Sequence, residues 1–167
     1  MSAGQYYQAL KSAYMIIKNS NSSQAVVSAG LAPIETSFGD YLAYYQALYS
    51  NPDFRQYIDI QGVHLYSDNS LGNLNELDAV RGKVGNVTIW VTEIGFPSSP
   101  PPYDENTQAN FVKSNWSALR SQAYEIFWYE FKDFLGSPTD KESFFGAVTT
   151  NDAPKPSFWV IKGLSPA

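Results

Sequence analysis

The residues whose type and placement could do chemistry begin with Glu93, near the end of the apolar run Thr88-Ile89-Trp90-Val91-Thr92-Glu93-Ile94-Gly95-Phe96. A strand of this composition belongs in a core, and a carboxylate there is costly unless it is hydrogen-bonded or used. Gly95 lets the backbone turn close to whatever the carboxylate faces. In a β/α sheet the C-terminal ends of the strands are where the chemistry is kept. The bland alternative is a buried glutamate that only serves a hydrogen-bond network.

His64 and Tyr66 alternate with Leu65 in Ile60-Gln61-Gly62-Val63-His64-Leu65-Tyr66, so both side chains can face one side of a strand. His64 is the single histidine of the chain. One His with scattered carboxylates makes no recognisable zinc set, so neither a metal nor a cofactor is expected. Trp128, in Glu125-Ile126-Phe127-Trp128-Tyr129, could stack on a pyranose ring or fill a core; Glu130 and Asp133 follow it. Glu35 sits in the loop after the first strand, and Asp68 and Asn69 follow the second. With four Trp, twelve Tyr and ten Phe, rings are available to line a sugar site as well as a core. These residues together point to carbohydrate cleavage without displaying all of the machinery it needs.

The elements that must position them come next. Ala9, Leu10, Ala13, Ile16 and Ile17 recur at helical spacing, with an end near residues 19–21. A short strand over 25–29, a helix over 38–48 stopped by Asn51-Pro52, and a strand over 60–66 follow. A polar loop over 67–73 leads to a short helix over 74–81, then a strand over 88–93 and a proline-rich loop over 97–102. Helix over 107–119, strand over 125–129 and a final helix over 157–162 complete the chain. Continuous apolar strands alternating with amphipathic helices predict an α/β fold, four parallel strands with covering helices, as one domain over residues 1–167.

Length and composition agree with one core: 167 residues, 44% hydrophobic and 16% charged, exclude a disordered chain. The net charge of -5 and thinly scattered Lys and Arg argue against nucleic acid as a partner. No stretch is long and apolar enough to cross a membrane, and the start Met1-Ser2-Ala3-Gly4-Gln5 has no signal-peptide pattern. A soluble chain is expected; a processed form of a secreted parent enzyme would look the same. The absence of Cys removes disulfides and thiolate chemistry without fixing a compartment. Asn21-Ser22-Ser23, Asn86-Val87-Thr88 and Asn115-Trp116-Ser117 match the glycosylation acceptor pattern.

In this order and spacing, Val27-Ser28-Ala29-Gly30-Leu31-Ala32-Pro33, Val63-His64-Leu65-Tyr66, Trp90-Val91-Thr92-Glu93-Ile94-Gly95 and Phe127-Trp128-Tyr129-Glu130 carry a resemblance. The chain resembles the C-terminal half, strands five to eight, of the retaining (β/α)8-barrel glycoside hydrolases of clan A. The resemblance implies half of a TIM barrel. It implies that Glu93 is the nucleophile, that His64 and Tyr66 hold it and contact the sugar, and that Trp128 floors the sugar subsite. Glu130 departs from the polar residue common in that family, and Glu35 is within reach of such a site. The family's acid/base glutamate, usually in an Asn-Glu-Pro sequence ending strand four, has no counterpart here.

A half-barrel exposes two strand edges and an inner face. The expected partners are therefore a complementary N-terminal half-barrel or a second copy in a homodimer, besides a carbohydrate ligand. In a homodimer, Glu130 of one copy is expected to face Glu93 of the other. Alone, the chain is expected to hydrolyse O-glycosidic bonds weakly or not at all; the alternative is a non-catalytic structural or carbohydrate-binding half-barrel.

Overall fold

The computed structural model describes residues 1–32 and 41–164. Helix α1 (Ala3–Ser20) starts at Ser2, whose hydroxyl accepts the Gln5 N–H while the Gln5 side chain accepts the Ser2 N–H. Such a reciprocal cap stabilises a helix start by about 1 kcal/mol. A two-residue strand β1 (Val27–Ser28) and helix α2 (Tyr41–Tyr49) follow; the start predicted for that helix at Phe38 lies outside the described residues. After a 3-10 turn (Phe54–Tyr57) come β2 (Ile60–Leu65), α3 (Ser70–Val84), β3 (Ile89–Ile94), α4 (Glu105–Leu119) and β4 (Glu125–Trp128). A second 3-10 turn (Lys141–Phe144) and α5 (Pro156–Leu164) end the order.

Helix α3 begins four residues before the periodicity places it. The Asn69 side chain accepts the Gly72 N–H at 2.9 Å, and the Asn73 side-chain oxygen accepts the Ser67 N–H at 2.9 Å. The polar residues that read as loop are its cap and first turn, because Asn satisfies backbone donors that otherwise have no partner.

The four strands form one parallel sheet in the order β1-β2-β3-β4. A parallel neighbour needs a crossover, supplied here by helices packed in sequence on one face, α1 on α2 through to α4 on α5. No strand order reverses, which separates this winding from the doubly wound sheets and makes it half of a (β/α)8 barrel. Val63, Leu65, Ile89, Val91 and Ile126 of the strands meet Tyr45, Leu77, Val80, Val84, Phe111 and Leu119 of the helices in the main core. A smaller cluster of Tyr7, Leu10, Val26, Leu48, Phe54 and Ile58 fastens α1 to the rest.

Strand alternation turns Gly62, His64, Trp90, Thr92 and Phe127 to the opposite, inner face. A side chain on Gly30 would strike the His64 ring and the Thr92 hydroxyl, so its absence lets His64 lie across the neighbouring strand. Trp90 and Phe127 pack with ring centroids 5.6 Å apart, yet Phe127 is 46% exposed and the buried Trp90 indole N–H has no acceptor. Among the described residues no helix is long and apolar enough to cross a membrane.

Candidate active site

Strand β3 contains one residue more than its neighbours can match. Val91 pairs with Val63 and Ile126, whereas Glu93 pairs with His64, and Ile94 with Leu65 and Trp128. Thr92 is thus the extra residue of a β-bulge. Strict alternation from Ile89 and Val91 would put Glu93 on the helix-covered face. The bulge re-aims Glu93 to the inner face and returns Ile94, 1% exposed, to the core.

The re-aimed carboxylate meets two groups from the β2 end. Its Oε1 accepts the Tyr66 hydroxyl, and its Oε2 lies 3.1 Å from His64 Nδ1. Burial, reinforced by the bond to Glu93, pushes the Tyr66 phenol well above its ordinary value, so it stays a donor. Burial pushes His64 below its ordinary value, and the Glu93 charge opposes this only in part. Burial thus favours the neutral imidazole, whose Nδ1 stands beside the carboxylate.

A cavity of about 590 Å³ opens over this carboxylate, with Tyr66, Asp68, Gly95, Tyr103 and Tyr129 among its walls. Tyr66, Tyr129 and Phe145 meet edge-on, with centroid separations of 6.5, 6.2 and 5.7 Å, and give one wall an aromatic surface. Gly95 must be glycine there, since a Cβ would press on the Tyr129 carbonyl and the Phe145 ring.

That wall is fastened from behind. Lys155 Nζ lies 2.7 Å from Asp133 Oδ1 and 2.8 Å from Ser98 Oγ, and the same Asp133 oxygen accepts the Gly146 N–H at 2.8 Å. The buried Gln108 amide donates to the Phe96 carbonyl at 2.9 Å and stays within 3.4 Å of those of Phe144, Phe145 and Gly146. Its own oxygen accepts the Ser157 hydroxyl at 2.6 Å. Behind Tyr66 and Asp68, the buried Asn73 donates to Asn115 Oδ1 at 2.7 Å and to the Ser67 carbonyl at 3.2 Å.

Of the residues singled out in the sequence, Glu93, His64 and Tyr66 are brought together, and Asp68 joins them at the cavity wall. His64 sits behind the carboxylate. Trp128 is placed otherwise than expected. It shares strand parity with Ile126, packs against Phe111 of α4 at 6.3 Å, and donates its indole N–H to the Phe145 carbonyl at 3.2 Å. Tyr129, one residue on, takes the cavity side. Period-two alternation with the exposed Phe127 was the signal that could have found it. Glu130 is half-buried away from the cavity lining, and its Oε1 has no partner. Burial first, and then the charges of Asp133 and Glu142, push that carboxyl up. Glu35 lies outside the described residues. Lys141, Glu142 and Phe145 also line the cavity, drawn from the segment after β4 that carried no recognisable periodicity.

Residues 2–150 match the family described as the glycosyl hydrolase catalytic core. A glucan 1,3-beta-glucosidase of Schizosaccharomyces pombe is 29% identical over 96 residues, which covers 53% of this chain and 30% of that protein. Among solved structures, a family 39 glycoside hydrolase from the gut symbiont Bacteroides cellulosilyticus superimposes with a TM-score of 0.73 at 20% identity, over 95% of this chain and 36% of that one. A family GH128 exo-beta-1,3-glucanase from Aureobasidium namibiae gives 0.67 at 12% identity, over 95% and 60%. The chain spans about a third of the length of the first of these relatives. Because the family match runs unbroken from α1 past β4, this chain belongs to the glycosyl hydrolase catalytic core family.

Proposed function

We propose that the chain supplies the nucleophile side of a retaining glycosidase site, with Glu93 attacking the anomeric carbon to form a glycosyl ester. The observation that carries this reading is the carboxylate itself. A bulge aims it at a cavity at the C-terminal end of the sheet, and Tyr66 and His64 hold one oxygen each. Tyr129 and Phe145 offer the aromatic wall against which a sugar ring packs. The glucan 1,3-beta-glucosidase relative makes a β-linked glucosyl unit the sugar to test first.

Retention also needs a second carboxyl roughly 5 Å away, to protonate the leaving oxygen and then activate water. Asp68 and Glu142 line the same cavity, but the glutamate in an Asn-Glu-Pro sequence that serves as acid/base in the resembling enzymes has no counterpart in this sequence. The chain alone therefore hydrolyses ordinary glycosides weakly or not at all. A complementary N-terminal half-barrel, or a second copy about a two-fold axis, completes the closed sheet.

An aryl glucoside with a dinitrophenolate leaving group needs no proton donor for the first step, because the phenolate departs as a stable anion. Its 2-fluoro analogue should leave a covalent glycosyl group on Glu93, found by peptide mass mapping and absent in Glu93→Gln. An unmodified chain after prolonged exposure sinks the proposal. The exposed inner-face Phe127 favours a second reading, a self-associating carbohydrate-binding half-barrel. Saturable sugar binding with no adduct, in a dimer by light scattering, would select it.

A further inference from the structure

Beside the cavity over Glu93 lies a second one of about 390 Å³, between the starts of α3 and α4, and the two share Asp68 and Phe96 as walls. Both volumes fall in the range of about 300–1,000 Å³ usual for small-molecule pockets. The second is lined in addition by Asn69, Ser70, Thr107, Asn110, Phe111 and Ser114. The Thr107 and Ser114 hydroxyls donate to the Asp104 and Phe111 carbonyls, so Ser70 and Asn110 offer polar groups beside the rings of Phe96 and Phe111, and Asp68 at the junction is the one ionisable side chain among its described lining residues. The Phe96 ring is stacked on Phe111, 4.6 Å between centroids, which fixes the dividing wall, and both rings line the groove. Such a lining suits a neutral polyhydroxylated ligand and repays neither a strongly charged nor a wholly apolar one.

We infer that this groove is a second sugar-binding subsite, contiguous with the first, and that the ligand is an oligosaccharide chain crossing Asp68 and Phe96, not a single glycosyl unit. The inference rests on the proposed glycosidase reading for the identity of the first site. Asn110, exposed on α4, is the residue that sets chain-length preference.

Titration of the isotopically labelled chain with glucose, then with β-1,3-linked glucose disaccharide and trisaccharide, tests it. Glucose should shift backbone amide signals of Gly95 and Ala32 only. The longer sugars should add shifts at Asn110 and Ser114 and bind more tightly. Asn110→Ala should weaken trisaccharide binding about three- to tenfold, the size of one lost neutral hydrogen bond, and leave glucose binding unchanged. Asn110→Trp, which fills the groove from an exposed helix position, should reduce the trisaccharide to the glucose affinity. Binding at Gly95 and Ala32 that ignores chain length and both variants overturns the subsite and leaves the first site standing. Absence of any sugar-induced shift overturns both.

Discussion

His64 and Glu93 meet across adjacent strands with Nδ1 and Oε2 3.1 Å apart, and the imidazole that makes this contact is held below its ordinary value by burial. The unfolded chain therefore takes up a proton on His64 more readily than the folded one. The resulting contribution to stability is complete above the ordinary value of 6.5 and is lost as pH falls through the lowered folded value. Tyr66, which faces the same carboxylate, is pushed up and does not titrate in that window. Urea denaturation across this range should show stability declining toward acid, and His64→Asn should flatten that slope. An unchanged slope in the variant would show that the imidazole is not the group responsible.

The two rings at the end of β4 should separate cleanly by substitution. Tyr129→Ala removes a cavity wall and should weaken saccharide binding while leaving the thermal midpoint within a few degrees. Trp128→Ala empties a site against Phe111 and should cost about 3–5 kcal/mol of stability, as large-to-small changes at packed aromatic positions do. Denaturant titration paired with sugar titration reads both, and the opposite assignment would restore Trp128 to the sugar site.

Lys155 and Asp133 form a pair whose side chains are only 1% and 6% exposed. Lys155→Met leaves a buried carboxylate without its cation and should destabilise by about 3–5 kcal/mol. The double variant Lys155→Met with Asp133→Asn should recover part of that loss, which a chevron or equilibrium urea series will measure. The pair also anchors Gly146 beside Phe145, so the single variant should loosen the aromatic wall and weaken sugar binding in what remains folded.

The three glycosylation sequences are not equivalent in the fold. Asn21 and Asn86 are exposed, whereas Asn115 is 1% exposed and spends its amide on Phe111 and Asn73. Expression in a glycosylating host should give glycopeptides at Asn21 or Asn86 and none at Asn115. A glycan found on Asn115 would mean that this segment stays open long after synthesis.

Much of this is legible in the sequence. Strand alternation gives His64 and Tyr66 one shared face, whereas their approach to Glu93 is what the resemblance to the clan A glycoside hydrolases implies. The parallel sheet with covering helices follows from alternating apolar runs and amphipathic segments, and its reading as a half-barrel follows from the family resemblance. What stayed hidden depends on counting across strands. Thr92 looks like one more residue of β3, and only pairing with both neighbours shows it to be unmatched. Trp128 reads as a sugar platform by type, but its face is set by parity with Ile126. Lys141, Glu142 and Phe145 reach the cavity through an aperiodic segment fixed by Gln108, Asp133 and Lys155, whose contacts span distances that no local pattern encodes.

The unmatched Thr92 also acts as a counter for the strand. Because it sets the phase of everything after it, the direction in which Glu93 points is decided by residue number and not only by residue type. Deleting Thr92 would exchange the roles of Glu93 and Ile94, driving a carboxylate into the layer beneath α3 and α4 and an isoleucine into the cavity. Every side chain named in the site would still be present. The site thus depends on the count of residues between Val91 and Gly95 as much as on their identities.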